Sequence, residues 1–168
     1  ELIRGCRNAK ARGFTAVGHL TPFVDSDRRE IMPLESFAAK ISNASERVYQ
    51  YREAVGNEVD LWIEIHRQLN VPEAIALGRE IEQARPMFFE DPVRPDNFDD
   101  MEKVADKIHI PIATGERLHT LEEFGMLLSR NACQYIRPDV CLCGGITQAK
   151  KIAALAEAKG VLVVPHNP

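Results

Sequence analysis

The sequence predicts an α/β protein built from successive βα units on a parallel sheet. Three observations lead there. Short apolar runs rich in Val, Ile and Phe alternate along the chain with stretches whose apolar residues recur at helical spacing. Several of those runs are continuously apolar, as strands covered on both faces are. At 168 residues there is length for one domain and too little left over for a second.

Candidate strands fall at 14–17, 59–65, 86–89, 110–113, 133–136 and 161–164, after an opening helix-like stretch. Between 37 and 55, Phe37, Ile41, Ala44, Val48, Tyr51 and Val55 form one helical stripe, and Gly56 suits the position after its end. Asn70 can cap the next helix, with Pro72 in its first turn and Ala74, Leu77, Gly78 and Ile81 facing inward. Met101, Val104, Ala105 and Ile108 repeat the pattern. Thr120 and Glu123 can form a capping box ahead of Phe124 and Leu128. Ala149, Ile152, Ala153 and Ala156 face inward on a last helix ending at Gly160. The order is one helix, five βα units and a final strand, compatible with a doubly wound sheet or with part of a (β/α) barrel.

Lys and Arg number 21 against 25 Asp and Glu, a net charge of −4, so nothing basic points to nucleic acid or to a membrane surface. With 45% hydrophobic and 27% charged residues the composition is that of a folded protein. No apolar run approaches the ~20 residues of a membrane span, and no signal segment opens the chain. Cys6, Cys133, Cys141 and Cys143 show no C-x-x-C spacing, so free thiols in a cytoplasmic setting are expected. Because the chain starts at Glu1 and stops at Pro168, just past an apolar strand, it reads as a segment of a larger protein. Its exposed sheet edges lead to the expectation that the segment is inactive alone.

The strand ends carry the chemistry. Glu64, Glu90 and Glu116 stand at the C-terminal ends of three successive candidate strands, 26 residues apart in each case. In a barrel that is the face where active sites are built. Three converging carboxylates repel one another unless a cation lies between them, and an all-oxygen set favours Mg²⁺ over zinc. Taken singly, such an acid is most often a helix cap or a solvated group. Glu90 could cap the next helix and Glu116 could pair with Arg117, but three in step favour the metal. Asp139 and His166 end the last two strands, an arrangement that holds an imidazole in one tautomer. His66, two residues past Glu64, is expected on the same side of its strand.

These segments together resemble the enolase superfamily, in its mandelate racemase subgroup, and most closely its acid-sugar dehydratases of the D-galactonate type. The matching stretches are Asp60-Leu61-Trp62-Ile63-Glu64-Ile65-His66, Phe89-Glu90-Asp91-Pro92, Ile112-Ala113-Thr114-Gly115-Glu116-Arg117, Arg137-Pro138-Asp139-Val140 with Gly144-Gly145-Ile146-Thr147, and Pro165-His166-Asn167-Pro168. The resemblance implies a TIM-like (β/α)₇β barrel, of which residues 1–168 cover about strands two to seven, with the capping domain outside this chain. It further implies that Glu64, Glu90 and Glu116 hold one Mg²⁺ that binds the substrate carboxylate. His166, oriented by Asp139, would remove the α-proton, and His66 would help the β-hydroxyl depart. The implied partner is a small-molecule sugar acid, the product a 2-keto-3-deoxy acid, and the full-length protein a homo-oligomer. Racemisation or epimerisation of a 2-hydroxy acid in the same pocket is the alternative, as is a non-catalytic sugar-acid binder.

There are departures. Glu64 stands where the family usually has Asp. A lysine base found in some relatives at the end of the second strand is absent from Val17-Gly18-His19-Leu20-Thr21. Arg137 replaces a common Gln and Cys143 a usual Ala, neither with a functional account from sequence. His19, at a strand end, could reach substrate but reads first as a loop or packing residue; Arg94 could contact a sugar carboxylate but reads first as a solvated loop arginine; His109 and His119 read as surface residues and Trp62 as packing.

Overall fold

A computed structural model describes residues 1–23 and 35–167; Pro168, the last residue of the 165–168 motif, lies outside them. Six helices and six strands alternate: α1 Leu2–Ala11, β1 Ala16–Leu20, α2 Phe37–Val55, β2 Asp60–Glu64, α3 Val71–Ile81, β3 Phe88–Glu90, α4 Phe98–Ala105, β4 Ile112–Thr114, α5 Leu121–Ser129, β5 Tyr135–Ile136, α6 Gly145–Glu157 and β6 Leu162–Val163. A turn of 3₁₀ helix, Glu82–Ala84, follows α3.

The helices start where the sequence offers a cap. Ser36 accepts a hydrogen bond from the Ala39 amide at the head of α2. Asn70 with Glu73 and Thr120 with Glu123 each close a capping box, satisfying two amide groups that the first helical turn leaves open. Gly56 ends α2 at φ +71, a left-handed conformation that a side chain would strain.

All strand pairs are parallel and the strands lie in chain order from β1 to β6. A doubly wound sheet would reverse its order at some point. Here there is no reversal, and neighbouring helices pack side by side: α1 on α2, α2 on α3, α3 on α4, α5 on α6. That is the winding of a (β/α) barrel, of which six strands form an arc.

Alternation along the strands divides the sheet into two surfaces. Leu61, Ile63, Phe89, Ile112 and Ile136 point to the helices and are buried with Val48, Tyr51, Leu77, Ile81, Met101, Val104, Phe124 and Ile152. Each such side chain contributes roughly 1.5–3 kcal/mol on leaving water. The other surface carries a row of rings across β2, β3 and β5: Trp62 lies 5.1 Å from Phe88, and Phe88 lies 5.1 Å from Tyr135. Two residues further along the same strands, on the same side, come Glu64, Glu90 and, just past β5, Arg137.

The observed strands sit later in the sequence than predicted in three places. β1 runs to Leu20 rather than 17, and β3 and β4 each run one residue further than expected, to Glu90 and Thr114. In β1 the pairing passes from Val17↔Leu61 to Leu20↔Ile63, so β1 carries an extra residue there. His19, at φ +53, lies in that bulge.

Candidate active site

Glu64 and Glu90 are register partners at the ends of β2 and β3, and Glu116 follows β4 by two residues. Between Thr114 and Glu116 stands Gly115 at φ +128, packed so that a methyl would press on the Phe124 ring and the Arg137 amide. Glycine is what lets the chain turn Glu116 away from the strand at this point. Glu90 and Glu116 are buried, at 1% and 6% exposure.

Each of the three carboxylates has a basic partner. Glu64 Oε2 accepts from His19 Nδ1 at 2.8 Å. Glu90 is ion-paired with Arg137, which is equally buried, and accepts from the Trp62 indole N–H. The Arg137 guanidinium also stacks 4.1 Å from the Trp62 ring. Glu116 is ion-paired with Arg67, whose Nη1 also reaches Asp91 Oδ2 at 2.9 Å. Asp91 in turn accepts from Thr114 Oγ1 at 2.6 Å.

These surroundings set the titration of the acids. Burial pushes the Glu90 carboxyl up to about 7, against the pull of Arg137 and Trp62. Burial also raises Asp91, against Thr114 and Arg67. For Glu64, burial acts upward but the His19 hydrogen bond and nearby positive charge leave it below the ordinary glutamate value. The same bond raises His19.

Asp139 and His166 meet as expected, with Nδ1 of His166 2.9 Å from Asp139 Oδ2. Oδ1 of Asp139 accepts from the Cys141 and Leu142 amides at 2.8 and 2.9 Å, which fixes the carboxylate plane. His166 first, and then these amides, hold Asp139 below the ordinary aspartate range. Nε2 of His166 lies 3.2 Å from Glu116 Oε2, so the imidazole bridges the dyad to the acidic strand ends. His66 lies beyond β2 on an exposed turn, where His66 and Arg67 both adopt left-handed backbone, φ +55 and +67. Strand alternation from Glu64 does not extend across that turn, so it does not orient His66.

The donor types suit a hard divalent cation: three carboxylates and no sulfur. Glu90 Oε1 meets the Arg137 guanidinium, so a cation at this carboxylate requires that pair to open. Among the described residues, however, no three acidic, histidine or cysteine side chains stand close enough together to hold a metal. The set therefore fits the ion in kind, while in this arrangement Arg67 and Arg137 supply counter-charge and His19 a hydrogen bond.

Other residues fall as follows. Trp62 packs, and also serves Glu90. Arg94 is exposed and paired with Asp96 at 3.0 Å. His109 is exposed beside Glu82, and the His119 amide donates to Glu123. All four cysteines are free thiols, and Cys141 alone among them is exposed. Sequence reading missed Arg67, Arg137 and Asp91 as site residues, and ranked His19 as a packing residue ahead of a site one. Arg137 was within reach, because it lies two residues from both Tyr135 and Asp139 and so shares their side of the strand.

The model of the enolase C-terminal domain-like family matches residues 1–168. The chain belongs to that family. A D-galactonate dehydratase of Verminephrobacter eiseniae (strain EF01-2) is 35% identical over 168 residues, which are all of this chain and 42% of that protein. A mandelate racemase/muconate lactonizing enzyme-like protein from Roseovarius sp. TM1035 is 38% identical, with a TM-score of 0.86 over 98% of this chain and 41% of its own. An enolase from Agrobacterium radiobacter, bound to Na and L-malate, is 31% identical, with a TM-score of 0.87 over 99% of this chain and 41% of its own. The chain thus spans about two-fifths of the length of these family members. No helix among the described residues is long and apolar enough to cross a membrane.

Proposed function

We propose that the protein carrying this chain is a sugar-acid dehydratase that removes the α-proton of an aldonic acid and expels its β-hydroxyl, giving a 2-keto-3-deoxy acid. The observation that carries the reading is the His166–Asp139 dyad, whose other ring nitrogen, Nε2, lies 3.2 Å from the buried Glu116 at the C-terminal ends of the strands. The D-galactonate dehydratase among its relatives supports the substrate class.

His166 Nδ1–H donates to Asp139, so Nε2 carries the lone pair and is the nitrogen that takes a proton. Asp139, held by two amides, stabilises the imidazolium that forms. Proton removal drives charge onto the substrate carboxylate, and that charge must be offset. Glu64, Glu90 and Glu116 would hold a Mg²⁺ ion, which as a Lewis acid supplies several kcal/mol of such stabilisation. The Agrobacterium relative, bound to Na and L-malate, supports a site that accepts a cation together with a hydroxy acid. His66 is the group assigned to donate a proton to the departing hydroxyl. The row formed by Trp62, Phe88 and Tyr135 lies two residues back along the same strands and forms an apolar floor beneath these groups.

The test is ketone formation by the full-length protein with Mg²⁺ across a panel of five- and six-carbon aldonic acids, read by semicarbazide absorbance. A keto acid from at least one member is expected, abolished by His166→Asn. No keto product from any member would remove the reading. Deuterium exchange at Cα without water loss would redirect it to epimerisation.

A further inference from the structure

At the opposite end of the six-stranded arc from His166, a second imidazole is paired with a carboxylate on the neighbouring strand. His19 Nδ1 lies 2.8 Å from Glu64 Oε2 across β1 and β2, as His166 Nδ1 lies 2.9 Å from Asp139 Oδ2 across the far end of the sheet. The two pairs are built alike. In each, a strand-end carboxylate engages Nδ1 and leaves Nε2 as the nitrogen available for other partners.

Three features distinguish the His19 pair from a surface ion pair. First, the β1 bulge with its left-handed residue gives His19 the position that meets Glu64. A non-glycine residue in that conformation is uncommon and is retained where the surroundings hold it. Second, the ring is held on another side by Trp62, centroid to centroid 5.2 Å. Third, the pair runs from a shielded to an open environment: the Glu64 side chain is 12% exposed and that of His19 57%. The ring is thus anchored at Nδ1 and open to solvent beyond, with no other hydrogen bond to the imidazole among the described residues.

We propose that His19 is a substrate-binding residue: a hydroxyl of the bound sugar acid makes a hydrogen bond with His19 Nε2, while Glu64 holds the ring in place through Nδ1. The proposal rests on the sugar-acid reading of this site and adds to it a contact opposite the base. It selects for acids with a hydroxyl beyond the reacting carbons, since an acid without one has nothing to offer Nε2.

The experiment uses the full-length protein with MgCl₂ and His166→Asn to prevent turnover. Calorimetry measures binding of the same aldonic acids and of lactate, which has no hydroxyl beyond its α-carbon. Added to that background, His19→Asn keeps a nitrogen where Nδ1 meets Glu64, tolerates the left-handed backbone and removes Nε2 alone. The expected result is about tenfold weaker aldonate binding, the worth of one hydrogen bond, with lactate unchanged and part of the loss restored by His19→Gln. Equal aldonate affinity with and without His19→Asn overturns the proposal, as does an equal loss for lactate or an absence of aldonate binding to the parent. Ketone assays with His166 intact separate the two ideas. Turnover with unaltered affinity in His19→Asn sinks this contact and leaves dehydration standing. Weakened binding with no ketone from any acid does the reverse.

Discussion

Replacing Arg137 with glutamine perturbs the most deeply buried charge pair in the site. Arg137 and Glu90 are each 1% exposed, and the guanidinium is sandwiched between Glu90 and the Trp62 ring. Removing one member of such a pair costs roughly 3–5 kcal/mol if the other remains charged. Glu90 can escape part of that by taking a proton. Its carboxyl already stands at about 7 with Arg137 pulling downward, so losing Arg137 moves it higher. A group whose folded pKa is raised contributes fully below its unfolded value and loses that contribution as pH rises through the folded pKa. In the parent the loss runs from about pH 4.5 to 7 and then levels off. In R137Q it continues above pH 7, so the two stability curves diverge there by about 1.4 kcal/mol per pH unit. Urea unfolding of the full-length protein at pH 6 and pH 8.5 measures this. The destabilisation by R137Q is expected to grow by about 2 kcal/mol between the two, and adding Glu90→Gln is expected to abolish that growth. A destabilisation equal at both values, or one untouched by the second substitution, would refute the reasoning.

Three further predictions follow from neighbouring geometry. Asp139→Asn removes the acceptor that orients His166 and is expected to lower ketone formation by about 10²–10⁴-fold without loss of helical circular dichroism; activity within a few-fold of the parent would contradict it. Gly18→Ala puts a methyl into the Trp62 ring, so overpacking of about 1–3 kcal/mol should appear as a lower melting temperature, and an unchanged one would count against the packing described. Iodoacetamide at pH 8 should label Cys141 ahead of Cys133, whose thiol burial pushes up to about 12, with peptide mass mapping as the readout; early labelling of Cys133 would contradict its burial.

What could be read from the sequence was what is decided locally. The stripe from Ile41 to Val55, the caps at Asn70 and Thr120 and the apolar strands depend on residues within a few positions of one another, and all appear in the structure. The spacing of Glu64, Glu90 and Glu116 was legible for a related reason, since each βα unit returns the chain to the same end of the sheet. Strand β1 was misplaced because its extra residue is defined by pairing with β2, a relation between distant parts of the chain. The basic partners of the acids were hidden for the same cause. Arg67 reaches Asp91 and Glu116 from a turn of two left-handed residues that no local pattern announces. Doubly wound and barrel windings stayed open until the strand order showed no reversal.

Diffraction at the manganese edge from crystals of the full-length protein grown with Mn²⁺ bears most directly on the site. One anomalous peak is predicted among the ends of β2, β3 and β4, with carboxylate oxygens of Glu64, Glu90 and Glu116 about 2.2 Å from it, near the spacing of hard divalent ions, and Arg67 and Arg137 drawn back. Crystals with no peak there, and with Glu90 and Glu116 still held by Arg137 and Arg67, would contradict the account.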